Sequence, residues 1–433
     1  MIPLLRVLNR VWHSRFARNV VVVASGTAGA QAITMVFAPL ITRIYSPDAL
    51  GLLGTFSAIA VVGASVAALA YPIAIVLPRD DHDALGLAKL SAMLSCGIAL
   101  LAAALLAVGG GWLSASLGIE SVAGYFFLIP VFMLFTAWKE IAQQWLIRKK
   151  EFIVIARSAV VHSLVVNSAK TGAGWLHPAG VVLIVLATLA QVLYAALLLI
   201  GAGRRYQPCS AERNEIGRPS LWELAYRHRD FPFYRAPQNF INGASASLPV
   251  LMLASFFGPA EAGFYTLSQM IMGMPSNLLG KAVSDVFYPR ITKAAQDGED
   301  LPGHILRATG ILFTIGIVPF GLLVLFGPWL FSFAFGGDWA MAGEYARWLA
   351  LFFLFNFINK PCVAAVPALG IQQGLLVYEL FSTGGKVLGL FIGFYWLDSD
   401  LWAVALFSII GVVAYGAMML WILSHAKRME RRG

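Results

Sequence analysis

Four lysines, Lys139, Lys281, Lys360 and Lys386, stand inside long apolar runs. A charge at the centre of a membrane helix costs about 2.5 to 3.5 kcal/mol on the mildest scale, so four of them facing lipid would cost on the order of 10 kcal/mol. They are therefore expected to face a wet cavity or a partner. Lys386 lies eleven residues into its run from the cytoplasmic end, about 16 Å by the helical rise and near the bilayer midplane. Lys360 is eight residues in, about 12 Å, and Lys281 is seven in, about 10 Å and within snorkelling reach of the surface. Lys139 precedes Glu140 and is close enough to Arg148 for an interfacial role. The two deepest lysines stand beside helix breakers, Gly384-Gly385 before Lys386 and Pro361 after Lys360. Broken helices at the midplane expose backbone groups to substrate in transporters. The alternative is a packing kink whose lysine is neutralised by a neighbour such as Glu379.

A cavity with several lysines and few carboxylates selects an anion. Gln31, Asn239, Asn242, Ser245, Ser247 and Asn356 would add the neutral hydrogen-bonding capacity that sugars need, although helix-helix contacts in membranes use the same residue types. Asp285, Glu379 and Glu140 are the embedded carboxylates able to carry a coupling proton. Asp285 follows Lys281 by four residues on one helical face, so that pair also reads as self-neutralising.

The elements that must position these groups are membrane helices. The chain of 433 residues is 59% hydrophobic and 12% charged, with a mean hydropathy of +0.75, which excludes a soluble protein of this length. Twelve apolar runs are long enough to cross a hydrocarbon core of roughly 30 Å. The fifth, over 156–176, is the weakest, because Asn167, Lys170 and the following glycines dilute it. With the N-terminus inside, 24 of the 31 Lys and Arg fall in cytoplasmic segments and only Arg43, Lys170 and Arg347 outside, which predicts N-in, C-in topology. The net charge of +9 therefore reports topology rather than nucleic-acid binding. Residues before Arg18 show no cleavable signal pattern and read as an interfacial segment.

The chain also repeats itself. Pro47-x-x-x-Gly51 is followed 27 residues later by Pro78-Arg79, and Pro259-x-x-x-Gly263 is followed 26 residues later by Pro289-Arg290. The expected fold is an all-α polytopic membrane protein of about twelve helices, in two parallel six-helix halves around a central cavity. The halves are residues 1–200 and 236–433, with a cytoplasmic linker over 201–235.

Several chemistries are excluded. No H-E-x-x-H and no nucleotide-binding Gly-rich loop occur, and Thr383-Gly-Gly-Lys386 is followed by Val387 inside a membrane run. Asp80, Asp81, His82 and Asp83 read as a solvated loop rather than a metal site. Cys96, Cys209 and Cys362 have no paired spacing. No catalytic residue, metal or cofactor is expected.

The residues carry a resemblance. Gly26-Thr27 through Ala38-Pro39 and Arg43 to Pro47-Asp-Ala-Leu-Gly51, then Tyr71-Pro-Ile-Ala-Ile-Val-Leu-Pro78-Arg-Asp-Asp81, resemble the oligosaccharide flippases of bacterial polysaccharide biosynthesis. So do Asp230-Phe-Pro-Phe-Tyr-Arg235-Ala-Pro237, Gly263-Phe-Tyr-Thr-Leu267 and Val286-Phe-Tyr-Pro289-Arg290. The resemblance covers essentially the whole chain. It implies a member of the multidrug, oligosaccharidyl-lipid and polysaccharide exporter superfamily that moves a polyprenyl-pyrophosphate-linked repeat unit of O-antigen or exopolysaccharide across the bacterial inner membrane by alternating access. A monomer is expected, working in membrane lipid and beside a polysaccharide polymerase. The diphosphate would meet the buried lysines. No individual binding residue is carried over from the family, so Lys386, Lys360, Lys281, Gln31, Asn239, Asn242 and Asn356 rest on depth and polarity alone. The alternatives are an ion-coupled multidrug exporter, whose cationic substrates favour buried carboxylates, and a membrane polysaccharide polymerase or ligase, which needs a large external loop that this chain lacks.

Overall fold

The computed structural model describes residues 15–203, 220–274, 287, 291, 300–369 and 371–430. Among them the regular structure is helical and no strand occurs. The long helices of the first half are α1 (Arg15–Ile44), α2 (Pro47–Ala64), α3 (Asp81–Leu117), α4 (Ile129–Arg148), α5 (Phe152–Leu176) and α6 (Gly180–Gly203). Those of the second half are α7 (Ala236–Phe256), α8 (259–274), α9 (Leu301–Phe335), α10 (Ala340–Ile358), α11 (Lys360–Leu369), α12 (Gln372–Tyr395) and α13 (Asp400–Glu430). Helices α10 and α11 meet at a bend of 42°. Among the described residues eight helices are long and apolar enough to cross a membrane, or nine if that bent pair is one span, in keeping with the expected all-α polytopic architecture. Lipid is the only medium that suits the outside. Just 11% of the apolar window of α3 is buried, and Val108 there is 93% exposed.

Local chemistry sets the helix starts. Ser46 accepts from the Ala49 N–H at 3.3 Å as an N-cap, and Pro47 occupies the first helical position, where its missing donor costs nothing. Pro259 holds the same place in α8, after Gly258 at φ +120°. Asp300 caps α9 by accepting from Gly303 N at 2.7 Å.

The chain divides into two compact units. The first comprises Met1–Tyr45 and Leu52–Leu251, and the second Ser46–Gly51 and Met252–Gly433. The first turn of α2 thus belongs to the second unit, and its glycine explains why. A Cβ on Gly51 would land on the carbonyl oxygen of Pro259, and one on Gly263 would land on that of Pro47. The two Pro-x-x-x-Gly turns cross face to face, each glycine admitting the other's backbone.

In the first unit, a core of Tyr71, Ile75, Leu87 and Trp145 also takes in Leu224, from a short helix over Leu221–Arg227. The Tyr71 hydroxyl donates to the Ala225 carbonyl at 3.1 Å, so this part of the segment read as a linker is docked. The Arg148 guanidinium closes the loop that carries Pro78-Arg79. It donates to the carbonyls of Ile75 at 3.3 Å, Pro78 at 2.5 Å and Arg79 at 3.1 Å, and pairs with Asp81 at 3.0 Å. The counterpart Pro289-Arg290 lies outside the described residues.

Helix continuity departs from expectation at two places. The second of the twelve apolar runs, over 52–77, is not one continuous helix: α2 stops at Ala64, and Leu69 and Ala70 adopt left-handed backbone, at φ 48° and 58°. Ser65 Oγ bonds back to the Val62 carbonyl at 2.6 Å, while Ala67, Ala68 and Ala70 are buried in protein, where irregular backbone escapes lipid. Conversely, Gly384-Gly385 does not break α12, which runs unbroken from Gln372 to Tyr395. Gly385 and Gly389 instead let α12 close on α13, where a Cβ would meet Ile410 at 3.2 and 2.8 Å. These small residues serve helix packing. The break beside Lys360 is present, at Asn359.

Candidate functional site

The first unit has an open cavity of about 460 Å³ lined by α1, α2, α4, α5 and α6. Helices α1 and α5 approach closely because Gly26 faces Ala156, where a Cβ would lie 2.5 Å from the alanine side chain. On the α1–α5 wall, Thr34 and Ser163 lie side by side, and their hydroxyls donate to the Ala30 carbonyl at 3.0 and 2.7 Å. Asn167 Nδ2 donates to the Ser163 carbonyl at 2.7 Å and to Thr34 Oγ1 at 3.3 Å. Across the cavity, Lys139 Nζ donates to Gln191 Oε1 at 3.2 Å. His162 Nε2 donates to the Ala190 carbonyl at 3.1 Å, and its ring stacks on Tyr194 with centroids 4.6 Å apart. Lys170 also lines the cavity, and its side chain makes no hydrogen bond or ion pair among the described residues.

The second unit solvates a lysine differently. Lys386 Nζ lies 5.8 Å from the centroid of Phe352 and 5.9 Å from that of Phe407, both within cation–π reach. No carboxylate among the described residues pairs with it. The next layer is polar: Tyr415 packs on Phe352 with centroids 5.5 Å apart, and its hydroxyl accepts from Asn356 Nδ2 at 2.5 Å. Lys360 begins α11 directly after the bend, beside Asn359, which is 2% exposed with both amide atoms unpartnered.

The residues singled out by sequence distribute as follows. Gln31 lines the cavity of the first unit, with its buried Oε1 unpartnered. Lys386 and Asn356 share the aromatic neighbourhood of the second unit, and Lys360 sits at its bent span. Asn239 is half-buried and Asn242 exposed on α7, and neither lines the cavity. Glu140 is half-buried next to Lys139, and Glu379 is exposed. Lys281 and Asp285 lie outside the described residues. His162, Lys170, Gln191 and Tyr194 are additions. Their signal was the polar stripe Ser163, Asn167 and Lys170 on α5, at helical spacing, which weakens a hydropathy reading of the span and marks an inward face.

A family model described as "Polysaccharide biosynthesis protein" matches residues 40–344. The succinoglycan biosynthesis transport protein ExoT of Rhizobium meliloti (strain 1021) is 24% identical over 369 residues, covering 82% of this chain and 68% of that protein. Among solved structures, a multidrug resistance MATE family transporter of the MOP superfamily, in an inward-facing conformation, matches with a TM-score of 0.70 at 15% identity, over 93% of this chain and 96% of the other. A MOP superfamily transporter from Pyrococcus furiosus, described by the reverse polarity of its binding pocket, matches with a TM-score of 0.56 at 15% identity, over 95% and 96%. At such identities the likeness establishes the fold, that of MATE-type transporters.

Proposed function

Because this chain belongs to the family of polysaccharide biosynthesis proteins, we propose that it is a flippase. It carries a polyprenyl-pyrophosphate-linked oligosaccharide, an O-antigen or exopolysaccharide precursor, from the cytoplasmic to the periplasmic leaflet of a bacterial inner membrane. The observation that supports this reading best is the pair of ammonium groups on membrane-spanning helices with no carboxylate within ion-pair distance among the described residues, at Lys360 and Lys386. An unpaired charge at such depth is costly, and a diphosphate passing through the protein supplies the missing counterion. Amides and aromatic faces near these lysines suit the neutral glycan that follows the phosphates. A drug exporter for cations needs the opposite inventory.

On this reading both termini are cytoplasmic, following the Lys and Arg bias, and the protein acts as a transporter rather than an enzyme, in the neighbourhood of a polymerase. Its two halves alternate access to a central site. Glu140, Glu379 and Asp285 are the groups that could carry a coupling proton.

The test is leaflet translocation in proteoliposomes. A polyprenyl-pyrophosphate oligosaccharide is loaded into one leaflet, and its exposure to an impermeant sugar-modifying enzyme is followed. Protein-dependent exposure is expected. No movement of any lipid-linked glycan, with expulsion of a cationic dye under a proton gradient, would replace this reading with that of a drug exporter.

A further inference from the structure

We propose that the segment from Ser220 to Arg235 is a docking surface for the headgroups of anionic phospholipid, at the membrane surface where α3 begins and α7 enters. Its inner side is committed to the protein. Leu224 is buried in the core of Tyr71, Ile75, Leu87 and Trp145, and it packs where Gly86 leaves room, a Cβ there falling 2.4 Å from its side chain. Arg227 pairs with Asp83 at 3.3 Å and with Glu223 at 3.2 Å, and the Tyr71 hydroxyl holds the Ala225 carbonyl. Among the described residues the outer side has no cover. Trp222, Tyr226 and Arg229 follow at spacings of four and three, one stripe of a helix, and Phe233 and Tyr234 come in the turn that leads into α7. Trp222 is 80% exposed, Tyr226 61%, Phe233 71% and Tyr234 76%. An exposed patch of large aromatic side chains marks a membrane or a partner.

Position and composition choose between the two. The membrane span that contains α7 begins at Phe231, so the stripe lies at the end of a crossing, at the level of the headgroups. Hydrocarbon would reject Glu223, Arg229 and Asp230, and water gains nothing from the aromatic rings, whereas the interface accepts both. The charges specify the lipid. Arg227 is spent on two carboxylates. The Arg229 guanidinium rests on the Tyr226 ring, 4.5 Å from its centroid, and Arg235 donates to Gln238 Oε1 at 2.9 Å. Neither has a carboxylate within ion-pair distance among the described residues. The one free carboxylate in this stretch, Asp230, leaves the balance positive. Stacking on Tyr226 engages the flat face of the guanidinium and keeps its edge donors for a phosphate, and the surplus charge favours a lipid of net negative charge over a zwitterionic one. The segment grips Tyr71 on one side of the loop before α3 and Asp83 on the other, so a headgroup held on its outer face ties that loop to the leaflet. None of this depends on what the chain transports.

The full-length chain is placed in nanodiscs of mixed phosphatidylcholine and phosphatidylglycerol, with the photo-crosslinker p-benzoylphenylalanine in place of Trp222, and mass spectrometry identifies the lipid captured. The same crosslinker in place of Trp112, an exposed residue towards the other end of α3, is the reference. Position 222 is expected to capture lipid, with phosphatidylglycerol enriched over its bulk share at least about fivefold, the worth of one arginine near an anionic surface. The enrichment should fall as sodium chloride is added, and position 112 should show none. Arg229→Gln combined with Arg235→Gln should abolish the enrichment while lipid is still captured, whereas Arg229→Lys combined with Arg235→Lys should keep part of it. If the glutamine pair does not fold, Arg229→Gln alone, at an exposed side chain, replaces it and should lower the enrichment. No lipid captured at position 222, capture in bulk proportion, or enrichment undiminished in the glutamine variants would each overturn the proposal. Capture of a protein at position 222 in the membranes of the producing cell would also overturn it, by giving the stripe to a partner chain. Failure of translocation in the proteoliposome assay would leave it standing.

Discussion

The two units each keep lysines away from lipid, by different means. In the first, Lys139 is answered by an amide oxygen, that of Gln191, at 3.2 Å. In the second, Lys386 faces two phenylalanine rings, and the polar pair of Asn356 and Tyr415 packs behind one of them, Phe352. A hydrogen bond is directional and holds its ammonium in one geometry. Ring faces are broad, and they stabilise a cation without using any of its donors. Lys386 thus keeps its hydrogen-bonding capacity intact. The chemistry around the lysines differs between the two units.

The contrast can be broken most severely at Lys386 itself. Lys386→Ala is expected to cut the initial translocation rate in proteoliposomes by at least about thirtyfold, with insertion unchanged, whereas Lys386→Arg keeps part of the rate. Full activity of the alanine variant would mean that the aromatic pocket holds a structural lysine. The corresponding change in the first unit, Lys139→Met, should act on stability before it acts on transport. Gln191 Oε1 loses its donor, at a cost of about 1 to 3 kcal/mol, read as a lowered unfolding temperature. An unaltered unfolding temperature would show that this hydrogen bond is not what fixes Lys139.

A finer test removes one ring face. Phe352→Leu preserves an apolar neighbour but withdraws a cation–π partner, an effect of about 0.5 to 2 kcal/mol. It should slow translocation several-fold while Phe352→Tyr does not, and equal rates for the two variants would remove the rings from the explanation. The smallest effect is expected one layer back. Tyr415→Phe and Asn356→Leu should each cost about 1 kcal/mol in thermal stability. Combined, they should cost less than the sum of the two, because they share one hydrogen bond. Strict additivity would show that the bond is not formed.

Much of this architecture was legible before any coordinates. Apolar run length gave the helical membrane class, and the rarity of deep charge drew attention to Lys386 and Lys360. What stayed hidden depended on neighbours distant in the chain. Gly384-Gly385 looks like a breaker when read locally, yet the glycines of α12 are spaced to receive α13. The interruption after Ala64 has no proline or glycine over residues 65–70 to announce it, and it rests on burial against other helices. His162, Lys170, Gln191 and Tyr194 come together only when α5 and α6 line one space. Each looks unremarkable alone, and hydropathy counts the polarity of His162 and Lys170 as noise within a weak span, while the strongly apolar α6 hides Gln191 and Tyr194.

The crossing of the two Pro-x-x-x-Gly turns bears on ancestry. Its reciprocity, in which Gly51 meets Pro259 and Gly263 meets Pro47, is the pattern of an isologous interface, the kind that a molecule forms with a copy of itself. A chain of half this length, carrying a single such turn, could have closed against a second copy through this very contact, and gene fusion would then have inherited a working joint. The two glycines are also bound to a common fate. A side chain on either one collides with backbone contributed by the other turn, so neither position can drift alone, even as the interiors of the two units acquire separate chemistries.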